Sequence, residues 1–301
     1  MEKSDNFYGA ILMMIAMLSF LMNDALMKFV FQAISVEQGI FIRGAISVPL
    51  LALIAQYRHS LFVRIDRRNW RVITIRAFAE LAATMSFLTA LANMPLANVT
   101  AILQSLPLTV TMFAAVFFGE RVGWRRWSAI LIGFVGVLII VRPGGEGFNN
   151  YTILALISVA CVTVRDAITR RLDRSVPSLI VALIAAIPVW LFGGMMTLAS
   201  GWTPVSTSQF FVITLAAVAI TSGYLFAVMA MRRGDISFVT PFRYTGMVWA
   251  ILFGFILFDA LPDSATLLGT AIVVGMGIYT FHRERVRRHE ETSPKAGPAK
   301  L

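Results

Sequence analysis

Ten long apolar runs separated by short polar stretches dominate the chain: 8–29, 35–55, 72–91, 96–118, 124–141, 151–169, 177–198, 210–230, 236–258 and 264–281. An α-helix needs roughly 20 such residues to cross the hydrocarbon core of a bilayer. The runs are continuously apolar and do not alternate as barrel strands would, and lipid tolerates no unpaired backbone, so helices are required. The expected fold is all-α and integral to the membrane, with ten transmembrane helices. Composition agrees, with 58% hydrophobic and 14% charged residues, where an ordinary soluble domain has about a quarter charged.

A net charge of +10 raises the question of a nucleic-acid partner, but the basic residues lie in short clusters between the apolar runs and form no stripe or patch. They sort by loop instead. With the N-terminus in the cytoplasm, the cytoplasmic loops hold Arg58, Arg64, Arg67, Arg68 and Arg71, then Arg121, Arg125 and Arg126, then Arg170, Arg171 and Arg174, then Arg232 and Arg233, and finally the tail "HRERVRRHEE". The opposite loops, "NMPLAN", "PGGEGFNN", "SGWTPVSTSQ" and "FDALPDS", have no Lys or Arg; only Lys28 and Arg142, at span ends, fall on that side. This is the positive-inside pattern, and it predicts both termini cytoplasmic. The first run follows a single Lys3, is too long for a cleaved signal's apolar core and lacks a small-residue cleavage site, so it is expected to be a retained span. After about Glu290 the tail is polar and is expected to be disordered.

The two halves of the chain resemble each other. "NDALMKFV" (23–30) lines up with "RDAITRRL" (165–172), "PLANVTAI" with "RRGDISFV" (232–239), "FFGERV" with "LFDALP", and Gly136 with Gly275, in one order and at a near-constant offset. Each half holds five spans, an odd number, so the second would enter the membrane upside down. That is an inverted repeat, the plan of many secondary transporters with a site between the halves near mid-membrane. The expected units are 8–142, 150–282 and a cytoplasmic tail 283–301, with "RPGGEG" as the connection between repeats.

At these residues the sequence resembles the drug/metabolite transporter superfamily, EamA type, over about residues 8–284. The resemblance is carried by "ND" followed by Lys28, the arginine of "FIRGA", "ALANMPLANVTAILQSLPLTV", "FFGERV" and "GDISFVTPF". It implies a ten-helix bundle of two inverted five-helix repeats around a cavity bounded chiefly by helices 3, 4, 8 and 9. The second half departs at Phe258 and Asp259, where a Gly-Glu pair is common in the family. Within the family the chain is most similar to bacterial riboflavin importers, which implies alternating-access uptake of riboflavin across the inner membrane. Family substrates also include amino acids, carboxylates and nucleotide derivatives, moved as exporters or exchangers, and a channel is the competing class. Aromatic or methionine faces would suit an isoalloxazine ring, and amides or hydroxyls a ribityl tail.

Ionisable residues inside spans are expensive and mark candidate sites. Glu80 lies deepest, with Arg76 one turn away as an i,i+4 partner, and is the candidate for substrate binding or proton coupling. Arg243 follows Pro241, whose missing N–H frees a carbonyl one turn back; Gln104 beside Pro107 makes a similar polar spot. Tyr244 and Trp249, with Trp190, are candidate stacking faces, although packing or lipid contact is the plainer reading. Asp24 with Lys28, and their counterparts Asp166 with Arg170, are expected to pair within one helix face as matching outer and inner gates; the plainer reading is that the cations snorkel to headgroups. Arg43 is expected to pair with Asp24. No enzyme is expected. His59, His282 and His289 are scattered, Cys161 is a lone cysteine inside a span, and no metal cluster or nucleotide motif is present, so neither a metal nor another cofactor is implied. The expected partners are a small-molecule substrate and the lipid bilayer; the residues fix no oligomeric state.

Overall fold

A computed structural model describes residues 2–58, 60–61, 63–120, 122–145, 148–173, 175–233 and 236–292. His59, Arg121, Arg174, Gly234, Asp235 and residues 293–301, used above for loops, motifs and tail, lie outside the described residues. The described residues form ten helices long and apolar enough to cross a membrane. They are numbered here as spans 1 to 10: Asp5–Val30, Val36–Tyr57, Arg67–Asn93, Leu96–Phe118, Trp124–Val141, Asn150–Thr169, Ser178–Ser200, Thr207–Met231, Thr240–Phe258 and Ser264–Arg283. The last helix runs on without a break to Thr292. It thus includes the first part of the segment expected as a separate tail.

Local chemistry sets the ends. Ser35, Asp66 and Asn149 cap spans 2, 3 and 6 by accepting hydrogen bonds from backbone N–H groups two or three residues on. Asp66 is exposed; slight desolvation is outweighed by hydrogen bonds from Asn69 and Arg68, which hold its carboxyl below the ordinary range. Span 4 is broken near its middle, and span 9 opens on an irregular turn. Pro107 follows the break at Gln104 and Ser105, and Pro241 sits in a short 3₁₀ segment, Thr240–Tyr244. In each case the ring removes the N–H that an unbroken helix would use. Spans 4 and 9 also stop alike. Gly119 and Asp259 both take left-handed backbone, φ 67° and 49°. In each the next N–H reaches back six residues, Glu120 to the Ala114 carbonyl and Ala260 to the Gly254 carbonyl. Asp259 therefore keeps the backbone role of Gly119, its match in the first half, which Asp tolerates better than most residues.

The principal packing pairs are spans 1 with 8, 3 with 6, 2 with 7 and 5 with 10. Span 1 also packs on 9 and span 4 on 6, span 3 on 7 and span 2 on 8, and span 4 on 9. Exchanging each span n with n+5 leaves this set of pairs unchanged. Spans 5 and 10 meet at glycines: a Cβ added to Gly136 would lie 2.8 Å from the Gly269 carbonyl oxygen, and one added to Gly269 would lie 2.6 Å from that of Gly136. Gly133 is likewise closed by Leu108. Gly275, the repeat match of Gly136, has open space around it and makes no such contact.

Candidate functional site

Loops rich in arginine alternate with loops that hold none but Arg142, so the bundle has a basic face and a bare face. A cavity of about 390 Å³ lies between spans 1, 3, 4, 6, 8 and 9. It runs from Met13, Met231 and Arg243, in the half nearer the basic face, to Asn23, Asp24 and Leu88 toward the bare face. Beyond that end Leu21, Ala25, Leu88, Leu91, Leu96 and Ala250, each at most 6% exposed, close the bundle. Spans 4 and 9 line it as the resemblance implied. Spans 1 and 6 contribute more of its polar side chains.

Those polar side chains fall into two groups. Near mid-membrane Arg165 of span 6 donates to both carboxylate oxygens of Glu80 in span 3, at 3.2 Å each, and to Asp166 at 2.8 Å. Arg76 lies 3.8 Å from Glu80, with its Nε donating to Thr169 of span 6 at 3.0 Å. The expected i,i+4 pair is therefore present, but Glu80's stronger partner is Arg165. At the deep end, Arg43 of span 2, only 7% exposed, donates to the Asn23 amide oxygen at 3.1 Å, and the Asn23 amide donates to Asp24 at 2.9 Å. Arg43 reaches Asp24 through Asn23 and not directly, a correction to the expected pair. The arginine's five N–H groups make one hydrogen bond among the described residues. Tyr224 of span 8 and Thr84 of span 3 line the same space, and their hydroxyls have no hydrogen-bond partner among the described residues. Tyr224 packs edge-on to Phe20, ring centroids 5.3 Å apart.

The expected gates are built differently. Lys28 does not pair with Asp24. Its ammonium donates to the carbonyls of Leu91 and Met94 at 2.8 Å each and lies 5.5 Å from the Phe258 ring. The last turn of span 3 has carbonyls with no helical partner, and a long flexible cation reaches them across the interface. Asp166 pairs with the adjacent Arg165, and exposed Arg170 has no bond or ion pair among the described residues. Its neighbour Arg171 stacks on Phe118, 3.9 Å from the ring centroid.

Gln104, Tyr244 and Trp249 are not among the residues that line the cavity. Gln104 ends the first half of span 4, where its backbone N–H closes the helix. Tyr244 is turned away against Gly277, and Trp249 packs between Phe20-side and Met13-side apolar clusters. Both residues pack against other spans, the plainer of the two readings. Arg243 does line the cavity. Sequence reasoning missed Arg165, Asn23 and Tyr224 as site residues. The repeat held the signal: Arg165 stands opposite Asn23, and Tyr224 lies 137 residues after Phe87, itself a lining residue. Among the described residues no cluster of His, Cys, Asp or Glu could hold a metal ion.

Ten membrane-crossing helices around a polar hollow define a multi-pass membrane transport protein. The EamA-like transporter family model matches residues 7–142, the first five spans, and the curated relatives that the chain resembles are transporters, not enzymes. It is 27% identical over 213 residues to an S-adenosylmethionine uptake transporter of Rickettsia conorii, covering 65% of this chain and 67% of that one. It is 25% identical over 224 residues to a riboflavin transporter of Rhizobium johnstonii, covering 73% of each. It is 23% identical over 274 residues to a pseudopaline exporter of Pseudomonas aeruginosa, covering 88% of this chain and 93% of that one. One solved crystal structure superposes with a TM-score of 0.63 at 20% identity, over 96% of this chain and all of that one, and shares its fold.

Proposed function

We propose that the chain is a secondary transporter of the bacterial inner membrane that takes up riboflavin by alternating access between two inverted five-span blocks, 8–142 and 150–282, with both termini cytoplasmic. The symmetric packing pairs and the matching helix stops at Gly119 and Asp259 support the duplication, and five crossings per block reverse the second. The arginine-rich loops support a cytoplasmic basic face. On that orientation the cavity lies toward the cytoplasm and is sealed outside.

One observation carries the substrate: at the sealed end, Arg43 has spare donors and Asp24 spare acceptor capacity, beside the Phe20–Tyr224 pair. The pyrimidine edge of an isoalloxazine offers carbonyl acceptors flanking an N–H donor. In our reading Arg43 takes a carbonyl, Asp24 takes the N–H, and Phe20, Phe87 and the methionines cover the ring faces. The volume lies within the usual range for small-molecule pockets, about 300–1,000 Å³. Glu80 is the coupling candidate, since a proton placed on it would weaken the ion pair with Arg165 that joins span 3 to span 6.

Uptake of labelled riboflavin by a vitamin auxotroph, with and without the chain, tests the reading, and lumichrome, which has the rings without the tail, should compete. Exchange of preloaded substrate would separate a carrier from a channel. A second reading is favoured by the same pair: a carboxylate on Arg43 and an ammonium on Asp24 would hold an amino-acid head group, and the relative named for S-adenosylmethionine uptake supports it. Competition by S-adenosylmethionine and not by lumichrome would select it.

A further inference from the structure

Spans 2 and 7 pack together, and the two ends of their contact are built unequally. On the bare face the start of span 2 meets the loop after span 7, and that corner is filled. Gln38, fully buried, donates its side-chain amide to the Thr203 carbonyl at 2.7 Å and accepts from the Thr203 N–H at 3.0 Å. On the basic face the matching corner, where the start of span 7 meets the loop after span 2, is a hollow of about 390 Å³ that extends onto span 8. Arg58, Ser60, Pro177 and Ser178 line it at the level of the span ends. Leu225, Val228 and Met229 line it deeper in the membrane, on one face of span 8, and Leu225 lies about 9 Å inside the end of that span at 1.5 Å per residue.

The lining is therefore charged at the membrane face and apolar below it. Exposed Arg58 has no bond or ion pair from its side chain among the described residues, and none of those lining the hollow is acidic. The carboxylates of the two adjoining loops are turned elsewhere: Asp66 and Asp173 both accept from the Asn69 side-chain amide. Water or a free inorganic anion would answer Arg58 but leave the span 8 face uncovered, and a bare hydrocarbon would do the reverse. An amphiphile with a negative head serves both. A zwitterionic head would bring a further cation to a loop that already carries Arg64, Arg67 and Arg68. We propose that this corner binds one anionic phospholipid from the leaflet on the basic face, its phosphate on Arg58 and an acyl chain along Leu225, Val228 and Met229. The lipid fills the place that Gln38 fills at the other end, and so completes the contact between spans 2 and 7. The site does not depend on which metabolite is transported.

The test uses purified full-length protein in detergent micelles doped with equal amounts of phosphatidylglycerol and phosphatidylcholine, with the lipid retained by each chain counted by native mass spectrometry. Retention of one phosphatidylglycerol in preference to phosphatidylcholine is expected. Arg58→Gln should weaken that retention by about tenfold or more, as loss of a hydrogen bond to a charged group does. Val228→Trp, which fills the hollow from its apolar side, should weaken it too, and Arg58→Gln decides the matter if Val228→Trp folds poorly. Arg64→Gln removes the same charge from the same loop without touching the hollow and should change nothing. Equal retention of the two lipids, a loss as large in Arg64→Gln as in Arg58→Gln, or displacement of the lipid by inorganic phosphate alone overturns the proposal. Because no substrate is added, that failure leaves the riboflavin reading standing, and failed riboflavin uptake leaves the lipid site standing.

Discussion

The segments 23–30 and 165–172 occupy corresponding places in the two halves yet are engaged unequally. The first ends on the bare face, where Lys28 ties span 1 to two carbonyls of span 3 and to the Phe258 ring. The second ends on the basic face, where Arg171 meets Phe118, the residue equivalent to Phe258, while Arg170, equivalent to Lys28, ties to nothing among the described residues. The ring contact is common to both ends; the carbonyl clasp exists at one. In the duplication proposed here, that difference is the difference between a shut end and an open one. The clasp is expected to change sides during transport, with Arg170 taking the last-turn carbonyls of span 8 when Lys28 lets go of span 3.

The severest way to break the comparison is Arg165→Gln. It strips the half-buried Glu80 of the guanidinium that binds both its oxygens, at about 3 kcal/mol, the lower end of the range for a fully buried pair. A large fall in unfolding temperature with loss of uptake is expected, and the double variant with Glu80→Gln should recover stability without uptake. Next is Lys28→Met, which leaves the Leu91 and Met94 carbonyls unclasped at about 1.5–3 kcal/mol for a charged hydrogen bond. With Cys161→Ser as background, a cysteine at Ala25 should label at least tenfold faster with an impermeant maleimide from the bare side; unchanged labelling would mean that Lys28 is no clasp. Phe118→Leu should act in the same direction but more weakly, since an arginine–ring contact contributes about 0.5–2 kcal/mol. The two sites are far apart and share no partner, so their effects should add.

The smallest effect concerns the clasp of Arg142 and Asp263, which joins two bare-face loops. The Thr266 backbone N–H, then the Thr266 side chain, and then Arg142, hold the Asp263 carboxyl below its ordinary range. The folded value is the lower one, so this contribution is complete above the ordinary carboxyl range and is lost as pH falls through the lowered value, below about 4. Asp263→Asn should keep the helix cap, leave the neutral-pH unfolding temperature nearly unchanged and flatten its fall in acid. A parallel fall in both proteins would show that the loop clasp has no part in keeping the bare face shut.

The ten spans, their near boundaries and the breaks at Pro107 and Pro241 were legible in the sequence, because hydropathy and proline act along the chain. The partners of the polar residues were not. Spacing of four residues puts Asp24 near Lys28 and Asp166 near Arg170, but it says nothing about a longer reach across an interface, and Lys28 goes to the carbonyls of span 3 instead. Arg165 belongs to "RDAITRRL", but only the packing of span 6 on span 3 brings it to Glu80, which no spacing along the chain reveals. Arg43 was correctly assigned to the neighbourhood of Asp24, with Asn23 as the unforeseen link. The place of Tyr244 and Trp249 was not legible either, because an aromatic that packs and one that lines a cavity look alike within an apolar run.

Spans 5 and 10 cross where Gly136 and Gly269 lay backbone on backbone. The side chains of Ile272, Val273 and Ile140 close around the two glycines. The crossing is a rivet, and a methyl group added at either glycine would prise the two spans apart.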